Sequence, residues 1–478
     1  RPKPKLPPGP RGLPLIGNLH QLGKHPHQTL YQLSKQYGPI MQLQLGRVPA
    51  VVISSAQMAE QVLKTHDLLF CSRPDMATGK RLSYNFSDVV LSPYNAAWRE
   101  LRKITFLNLL NPKMVEGFRH AREEEAERMM ASISHLSSLS QPINLSSSLH
   151  FFSNNLICKV AFGRIFQSEE PVGDQKNGFY KVLSESQELY MVLFASDYFS
   201  YAGWVDVVIA THEDPMRADA KEDIVDVLLR LQKEENHLTE DQVKGVLMNI
   251  FHAGTETTFA TLEYAMAELV KNPSAMLKAQ EEVRRVVGDK GRVEECDVPQ
   301  LSYLKLVVKE ALRLHPVVPL LVPRETMGHV KIDEYDVFPK TRVFVNAWAI
   351  GRDPDFWDKP DEFIPERYVG SDVDFRGHNF EFVPFGAGRR MCIGLSFAII
   401  TIELALANLL YAFNWELPDN MKKEGINMEE TPGIGVHLKA NLELQATRHV
   451  PLVSPLVHSK LLLPRKGGFA LWPMGSCL

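Results

Sequence analysis

The sequence predicts a mainly α-helical fold with a small β-rich part, and three observations support this. Most of the chain repeats its apolar residues at the spacing of one helix face. Residues 38–55 and 321–346 instead carry short apolar–polar alternations with Gly and Pro, which are typical of strands and turns. No linker or internal repeat divides the 478 residues, so we expect one large domain with a sizeable core.

The elements follow in chain order. Two short strands joined by a turn are predicted over 38–55, and a helix over 56–65. Further helices are predicted over 96–109, 113–135, 150–162, 177–195, 239–271, 273–288, 299–314 and 395–413. The longest begins at a capping box of Thr239 and Gln242 and ends at Asn272-Pro273. Residues 354–385 lack periodicity and predict an ordered loop.

Composition and charge exclude some classes of protein. The 53 basic and 57 acidic residues nearly cancel, to a formal charge of -4, so no nucleic-acid partner is expected. The 5 cysteines are odd in number and no C-x-x-C occurs, which argues against a disulfide framework or a zinc knuckle. The chain has no run of about twenty apolar residues, so the sequence predicts no transmembrane helix within it.

The sharpest feature is a glycine-rich string that ends around a cysteine and is followed by an apolar helix. It runs Phe385-Gly386-Ala387-Gly388-Arg389-Arg390-Met391-Cys392-Ile393-Gly394. Glycines allow turns that residues with a Cβ resist, and a helix start after Cys392 favours thiolate over thiol. Gly394 would let a flat macrocycle lie close to the helix, and Arg390 could pair with an anionic group. A buried structural cysteine would explain Cys392 alone but not the whole string.

This string resembles the cysteine-ligand signature of cytochromes P450, F-x-x-G-x-R-x-C-x-G, at every fixed position. The resemblance implies the cytochrome P450 fold, with haem b (iron protoporphyrin IX) between the long oxygen-activation helix and the cysteine-ligand helix. It makes Cys392 the thiolate ligand of the iron. It also implies that Phe385, Gly388, Arg390 and Gly394 contact the haem.

Two further motifs match the family in the expected order. Glu310-Ala311-Leu312-Arg313 resembles E-x-x-R, a spacing that puts both charges on one helix face. Pro365-Glu366-Arg367-Tyr368 resembles the P-E-R-F segment, with Tyr in the last place. The resemblance implies that Glu310, Arg313 and Arg367 form a buried ion network that locks the loop before the haem.

A polar motif lies halfway along the longest predicted helix. Ala253-Gly254-Thr255-Glu256-Thr257-Thr258 resembles the oxygen-activation motif of the family. Gly, an acid and Thr are locally unfavourable inside a helix, so the helix can open there. The resemblance makes Thr257 the residue that holds a water or delivers a proton, with Glu256 as its link to solvent. His252 is expected to be a hydrogen-bonded wall residue and not an iron ligand.

The resemblance also assigns residues that bind the haem propionates and residues that line the substrate pocket. Trp98 and Arg102 resemble the W-x-x-x-R pair that binds a haem propionate, and Arg324 occupies the place of another propionate partner. The predicted substrate pocket includes His252, Ala253, Val317, Val318, Leu320, Leu321 and Ile434.

The resemblance is strongest to plant A-type members of specialised metabolism, and it predicts three regions. Residues 1–12 are expected to be a proline-rich hinge after an N-terminal membrane anchor that this chain lacks, and 13–449 a single haem-binding catalytic domain. A roof helix near 208–222 is expected to be shortened, and the tail 450–478 resembles no element of the family. Such members lie on the cytosolic face of the endoplasmic reticulum membrane.

The leading hypothesis is a haem-thiolate monooxygenase that inserts one oxygen atom from O2 into a lipophilic small molecule, a plant specialised metabolite by resemblance. Electrons would come from NADPH through NADPH–cytochrome reductase, with cytochrome b5 as an optional second donor. One alternative is an oxygen-independent haem-thiolate isomerase or dehydratase, against which Thr257 and Glu256 argue. Another is a haem-binding variant with impaired activity, because of the shortened roof.

Overall fold

The computed structural model describes residues 3–76, 79–80, 83–139, 141–165, 224–235, 238–418 and 425–449. Within these ranges the protein is mainly helical with three small sheets, which confirms the predicted fold class. The helix predicted over 177–195, the shortened roof near 208–222 and the tail 450–478 lie outside the described residues.

The helices form most of the described structure. In chain order they are α1 (Pro26–Tyr37), α2 (Ala56–Glu60), α3 (Asp67–Phe70), α4 (Ala96–Thr105), α5 (Pro112–Gly117), α6 (Arg119–Ser138), α7 (Leu145–Phe162), α8 (Ile224–Glu235), α9 (Glu240–Lys271), α10 (Pro273–Val287), α11 (Ser302–Leu314), α12 (Ala347–Ile350) and α13 (Leu395–Ala412). Single turns of other helical types follow α2 and α4, at Gln61–Thr65 and Phe106–Leu110.

The 32-residue helix α9 runs through the centre of the fold. Its predicted capping box is confirmed, because the Thr239 hydroxyl accepts from the Gln242 N–H at 3.2 Å and the Gln242 side chain accepts from the Thr239 N–H at 2.8 Å. It packs against α7, α11 and α13. The crossing with α7 is close at Gly254, where a Cβ would lie 2.4 Å from Cδ1 of Ile157. A larger residue at 254 would push the two helices apart.

Nine short strands form the β-rich part of the described chain. They are β1 (Ile40–Leu45), β2 (Val48–Ile53), β3 (Ile143–Asn144), β4 (Arg324–Glu325), β5 (Val330–Ile332), β6 (Tyr335–Val337), β7 (Arg342–Val345), β8 (Phe413–Glu416) and β9 (Glu443–Arg448). The largest sheet has the order β1-β2-β7-β4, in which β2 and β7 are parallel and the other pairs antiparallel. The strands of the predicted region 38–55 thus share a sheet with β4 and β7 of the predicted region 321–346, whereas β5 and β6 of that region pair with each other in a separate sheet.

Several parts of the observed fold were not predicted, helix α1 and strand β8 among them. Helix α1 buries only His27 and Leu30, so its apolar stripe is too thin for periodicity to reveal it. Strand β8 follows α13 without an intervening turn, so no Gly or Pro marks the change from helix to strand. It pairs with β9 from far along the chain, Phe413 lying opposite Arg448.

Part of the segment predicted as a hinge lies against the sheets. The Asp336 N–H donates to the Lys5 carbonyl at 2.7 Å, and the Gln42 N–H to the Pro8 carbonyl at 2.8 Å. A Cβ on Gly9 would lie 2.0 Å from the Gln42 carbonyl oxygen, so glycine alone fits this close approach. The domain boundary near residue 12 stays a prediction.

Helix α13, which begins three residues after Cys392, is an apolar helix of the core. Among the described helices it has the length and apolar composition that would also suit a membrane span, but 72% of that span is buried inside the fold. Such burial is typical of the core helix of a globular protein.

Candidate active site

The glycine-rich string forms a tight loop that closes just before α13. The backbone N–H of Cys392 donates to the Phe385 carbonyl at 3.0 Å. Gly386 and Gly388 have φ of +66° and +68°, which confirms the predicted turns. A Cβ on Gly388 would lie 2.2 Å from the carbonyl oxygen of Leu63. Both the backbone conformation and the neighbouring chain therefore require glycine at 388.

The sulfur of Cys392 lies at the start of α13. Burial raises the pKa of its thiol above the ordinary value, while the amides of Gly394 and Leu395 and the charge of Arg102 act in the opposite direction. The amides do point at the sulfur and favour the thiolate, as expected from the helix start, although the opposite effect of burial on the pKa is larger. A coordinating metal cation would reverse the balance, since a bound thiol is deprotonated outright.

A cavity of about 520 Å³ opens in front of this sulfur. Cys392 is accessible because it faces this space, although protein surrounds it on the other sides. The cavity lining includes the apolar and aromatic residues Tyr94, Trp98, Phe106, Met391 and Ile393, together with Gly388 and the cations Arg99, Arg102, Lys103 and Arg389. A Cβ added to Gly394 would lie 3.9 Å from Sγ of Cys392, so glycine keeps the sulfur side open. A flat, largely apolar group with a soft metal fits this combination of ligand and lining.

Three arginines predicted as haem partners lie near one another: Arg324 and Arg390 are buried, and Arg102, which lines the cavity, is partly buried. Arg102 donates to the Met391 carbonyl at 2.6 Å, and Arg324 pairs with Asp67 at 3.1 Å. Arg390 donates through Nε and Nη2 to backbone carbonyls of the segment 71–92. Burial lowers the pKa of Arg390 to about 9, and repulsion from Arg324 and Arg102 contributes to the lowering. An anion placed among these guanidiniums would relieve that repulsion.

Trp98 lies in the same cluster, but its hydrogen bond differs from the predicted one. Its indole N–H donates to the Val89 carbonyl at 2.9 Å, and the guanidinium of Arg390 lies 3.7 Å from its ring centroid. An indole has a single donor, which this carbonyl already occupies. The assignment of Trp98 to a propionate stays a prediction that requires this bond to be exchanged.

Glu310, Arg313 and Arg367 meet as the motifs implied. Both carboxylate oxygens of Glu310 contact Arg313 at 2.8 Å, and Arg367 Nε lies 2.9 Å from Glu310 Oε1. The arginines also donate to loop carbonyls, Arg313 to those of Gly351 and Pro360 at 2.6 Å. Every charge in this buried set therefore has a partner, and the set fixes the loop that precedes the cysteine string.

The polar motif of α9 lies on an unbroken helix. The hydroxyl of Thr257 donates to the Ala253 carbonyl at 2.6 Å, so the predicted opening is absent and the hydroxyl bonds along the helix instead. Glu256 accepts a hydrogen bond at 3.1 Å from His150 on α7. Burial raises the pKa of Glu256, but the His150 bond and the nearby imidazoles outweigh it, and the pKa lies below its usual value.

The residues predicted to line the substrate pocket differ in how far they are exposed to solvent. His252 is 3% exposed, and burial lowers its pKa to about 4, which fits a neutral wall residue. Ala253 is exposed, and Val317, Val318, Leu320, Leu321 and Ile434 are half-buried. The Val436 N–H donates to the Val317 carbonyl at 2.9 Å, so two of the predicted wall segments adjoin. Their contact with substrate stays a prediction.

Two features of the site were missed from sequence. His150 carried no motif, and its contact with Glu256 spans 106 positions. The buried carboxylate of Asp88 accepts from the side chain of Asn249 on α9 at 2.9 Å, and Asn249 accepts from the Val89 N–H at 3.0 Å. This pair holds the segment that supplies carbonyls to Trp98 and Arg390. No local sequence signal marks either contact.

Comparisons with known proteins agree with this geometry. The sequence model of a family described as Cytochrome P450 matches residues 7–442. Cytochrome P450 71A1 of Persea americana is 48% identical over 463 residues, which cover 91% of this chain and 92% of the relative. Strychnine-11-hydroxylase of Strychnos nux-vomica is 44% identical over 467 residues, covering 92% and 91%. A zebra fish cytochrome P450 solved with abiraterone superposes with a TM-score of 0.77 at 27% identity, covering 89% of this chain and 99% of that one.

Proposed function

This chain belongs to the cytochrome P450 family, and on that premise we propose that Cys392 binds the haem iron while Glu256 and Thr257 move the protons of the reaction. As a member of the family the protein is a haem-thiolate monooxygenase of specialised metabolism, which uses haem b and electrons from NADPH through a reductase. The observation that carries the assignment of Cys392 is its sulfur, which faces the cavity at the start of α13 beside two backbone amides.

The residues around the cavity suit the cofactor. When bound, haem b activates O2, and thiolate ligation favours cleavage of the O–O bond and insertion of one oxygen atom into the substrate. Arg102, Arg324 and Arg390 form the positive edge that its two propionates need. Phe385, Gly388 and Gly394 shape the loop around Cys392 and leave room for a planar group.

We assign the proton transfers of the reaction to two residues of α9, Glu256 and Thr257. The Thr257 side chain is partly accessible, and the Glu256 carboxylate is mostly buried one residue away. A hydroxyl at the reaction space can pass protons onward, and a carboxylate behind it can replace them. An isomerase or dehydratase would not need this pair, which is why we favour the monooxygenase.

The proposal extends to the substrate class, the partners and the location. We assign a lipophilic substrate to the wall formed by Val317, Val318, Leu320, Leu321 and Ile434, because apolar pockets bind apolar ligands. We also assign cytochrome b5 as a second electron donor and the cytosolic face of the endoplasmic reticulum membrane as the location. The relative named for strychnine 11-hydroxylation shows the kind of specialised substrate expected.

The test is turnover with isotopically labelled oxygen. Haem-loaded protein, NADPH and a plant NADPH–cytochrome reductase are incubated with lipophilic plant metabolites that shift the haem spin state on binding. The proposal expects one labelled oxygen atom in the product and no turnover when O2, NADPH or the reductase is omitted. Product formed without O2 and reductase would establish the isomerase or dehydratase instead.

A further inference from the structure

A histidine on α7 contacts the acid of the α9 motif. Nε2 of His150 lies 3.1 Å from Oε1 of Glu256. The imidazole is held in place by Phe259, whose ring meets it edge to face at 5.2 Å between centroids. Phe259 lies about one turn after Glu256 on the same helix, so α9 provides both the partner of the imidazole and the surface against which it packs.

The pair is neither fully buried nor fully exposed. The side chains of His150 and Glu256 are 14% and 12% exposed, so solvent has limited access to the pair. The carboxylate faces three imidazoles, those of His150, His437 and His252, which all favour its charged form. The hydrogen bond from His150 is the largest of these favourable contributions.

A second acid lies two turns further along α9. Glu263 accepts from the Ser146 hydroxyl of α7, and from the Leu438 N–H at 2.9 Å. Burial raises its pKa to about 7. Among the described residues, the groups facing Glu256 are thus His150 from α7, His437 from the 431–442 loop, and His252 and Glu263 from α9 itself. His150 reaches the carboxylate through a direct hydrogen bond, so it has the shortest route for a proton.

Resting on the proposed function, we propose that His150 both positions Glu256 and supplies it with protons. The imidazolium Nε2–H gives its proton to the Glu256 carboxylate, which leaves a neutral imidazole and a neutral acid. Once the Thr257 hydroxyl has left the Ala253 carbonyl, Glu256 passes the proton to the Thr257 oxygen while Thr257 releases its own proton towards the reaction space. Glu256 is again a carboxylate, and solvent water reprotonates His150. One proton has moved inward and no other bond has changed.

Three variants separate positioning from relay. His150→Phe removes both ring nitrogens, whereas His150→Gln keeps an N–H donor for Glu256 but cannot release a proton near neutral pH. His315→Gln is the matched control. The His315 imidazole lies 2.8 Å from the carboxylate of Glu268, which is also on α9 but twelve residues after Glu256. Each is made in the haem-loaded chain, with and without Glu256→Gln, so that an infrared difference spectrum reports the protonation of this one carboxyl group.

The infrared titration tests positioning without depending on turnover. In His150→Phe the pH at which Glu256 protonates should rise by about one unit or more, because burial is no longer offset by the imidazole. His150→Gln should restore part of this shift, and His315→Gln should leave the titration at the parent value. An unchanged titration in His150→Phe would overturn the inference whatever the enzyme's activity.

The kinetics test the relay. With a lipophilic compound that shifts the haem spin state, both His150 variants should form about a hundredfold less product per NADPH than the parent and His315→Gln, at the low end of what a proton-transfer residue contributes. Their turnover should also slow more in D2O. Full product yield in His150→Gln would overturn the relay. A parent protein that never inserts oxygen would contradict the proposed function. The infrared shift does not depend on oxygen insertion, so it would still report whether His150 positions Glu256.

Discussion

Glu310 contacts Arg313 through both carboxylate oxygens at 2.8 Å, and neither side chain is exposed to solvent. The pair is three residues apart on α11, and Arg367 approaches the same carboxylate from the loop that leads to the cysteine string. The acid therefore ties a helix of the core to the segment that positions Cys392.

Glu310→Gln should destabilise the protein by about 3 kcal/mol or more, because two buried guanidiniums lose their counter-charge. Haem retention should fall with it, since the loop before Cys392 loses its attachment. Thermal unfolding and the haem-to-protein absorbance ratio measure both. Lys64→Gln, which breaks an exposed pair with Glu60, is the control and should change neither. Equal behaviour of the two variants would contradict the role of the network.

Gly388→Ala should disrupt the cysteine loop more than backbone strain alone can explain. Gly388 and Gly370 both have positive φ, +68° and +72°, but a Cβ at 388 meets the Leu63 carbonyl at 2.2 Å, whereas one at 370 meets nothing within 4 Å. Gly370→Ala should therefore cost about 1 kcal/mol of strain, and Gly388→Ala clearly more, with loss of haem binding. Urea unfolding and haem titration distinguish them.

Thr257→Ala should uncouple the reaction, so that NADPH consumption continues while peroxide replaces product. Thr261→Ala is the matched control. The Thr261 hydroxyl also donates to the carbonyl four residues earlier on α9, that of Thr257, at 2.8 Å, but Thr261 is buried. Peroxide released per NADPH is the measurement. If both variants release equal amounts, the effect belongs to the helix and not to a proton-delivering hydroxyl.

The stability should depend on pH through Glu403 on α13. Burial raises the pKa of this carboxyl to about 7, from an ordinary value of 4.5. A raised pKa in the folded state means that the contribution to stability is fully present below about pH 4.5 and is lost as pH rises through about 7. Glu403→Gln should flatten the fall in melting temperature over this window. Glu281→Gln, at an exposed position, should leave the fall intact, and a parent that becomes more stable over the window would refute the assignment.

The sequence predicted the parts of the site that are local. The turns at Gly386 and Gly388 and the face shared by Glu310 and Arg313 follow from residue type and spacing over a few positions. The strand pairing of 413–416 with 443–448 and the His150–Glu256 contact join distant segments, so no spacing rule reveals them. The bond that the Trp98 indole makes in this structure was not predicted for the same reason: its acceptor belongs to a segment held by Asp88 and Asn249, which are 161 positions apart.

The direction in which the pKa of the Cys392 thiol shifts also could not be predicted from the motif alone. The amides of Gly394 and Leu395 do lie beside the sulfur, as a helix start suggests, but the amount of protein around the sulfur decides the sign of the pKa shift. Burial is a property of the whole fold and not of ten residues.

The carbon-monoxide difference spectrum of the reduced, haem-loaded protein tests the central claim most directly. The parent and Cys71→Ser, which changes a buried thiol bonded to the Leu68 carbonyl, should both show the Soret band shifted by a thiolate ligand. Cys392→Ser should lose that shift while haem is supplied in excess. A shifted band that persists in Cys392→Ser, or one that is missing from the haem-loaded parent, would contradict Cys392 as the iron ligand.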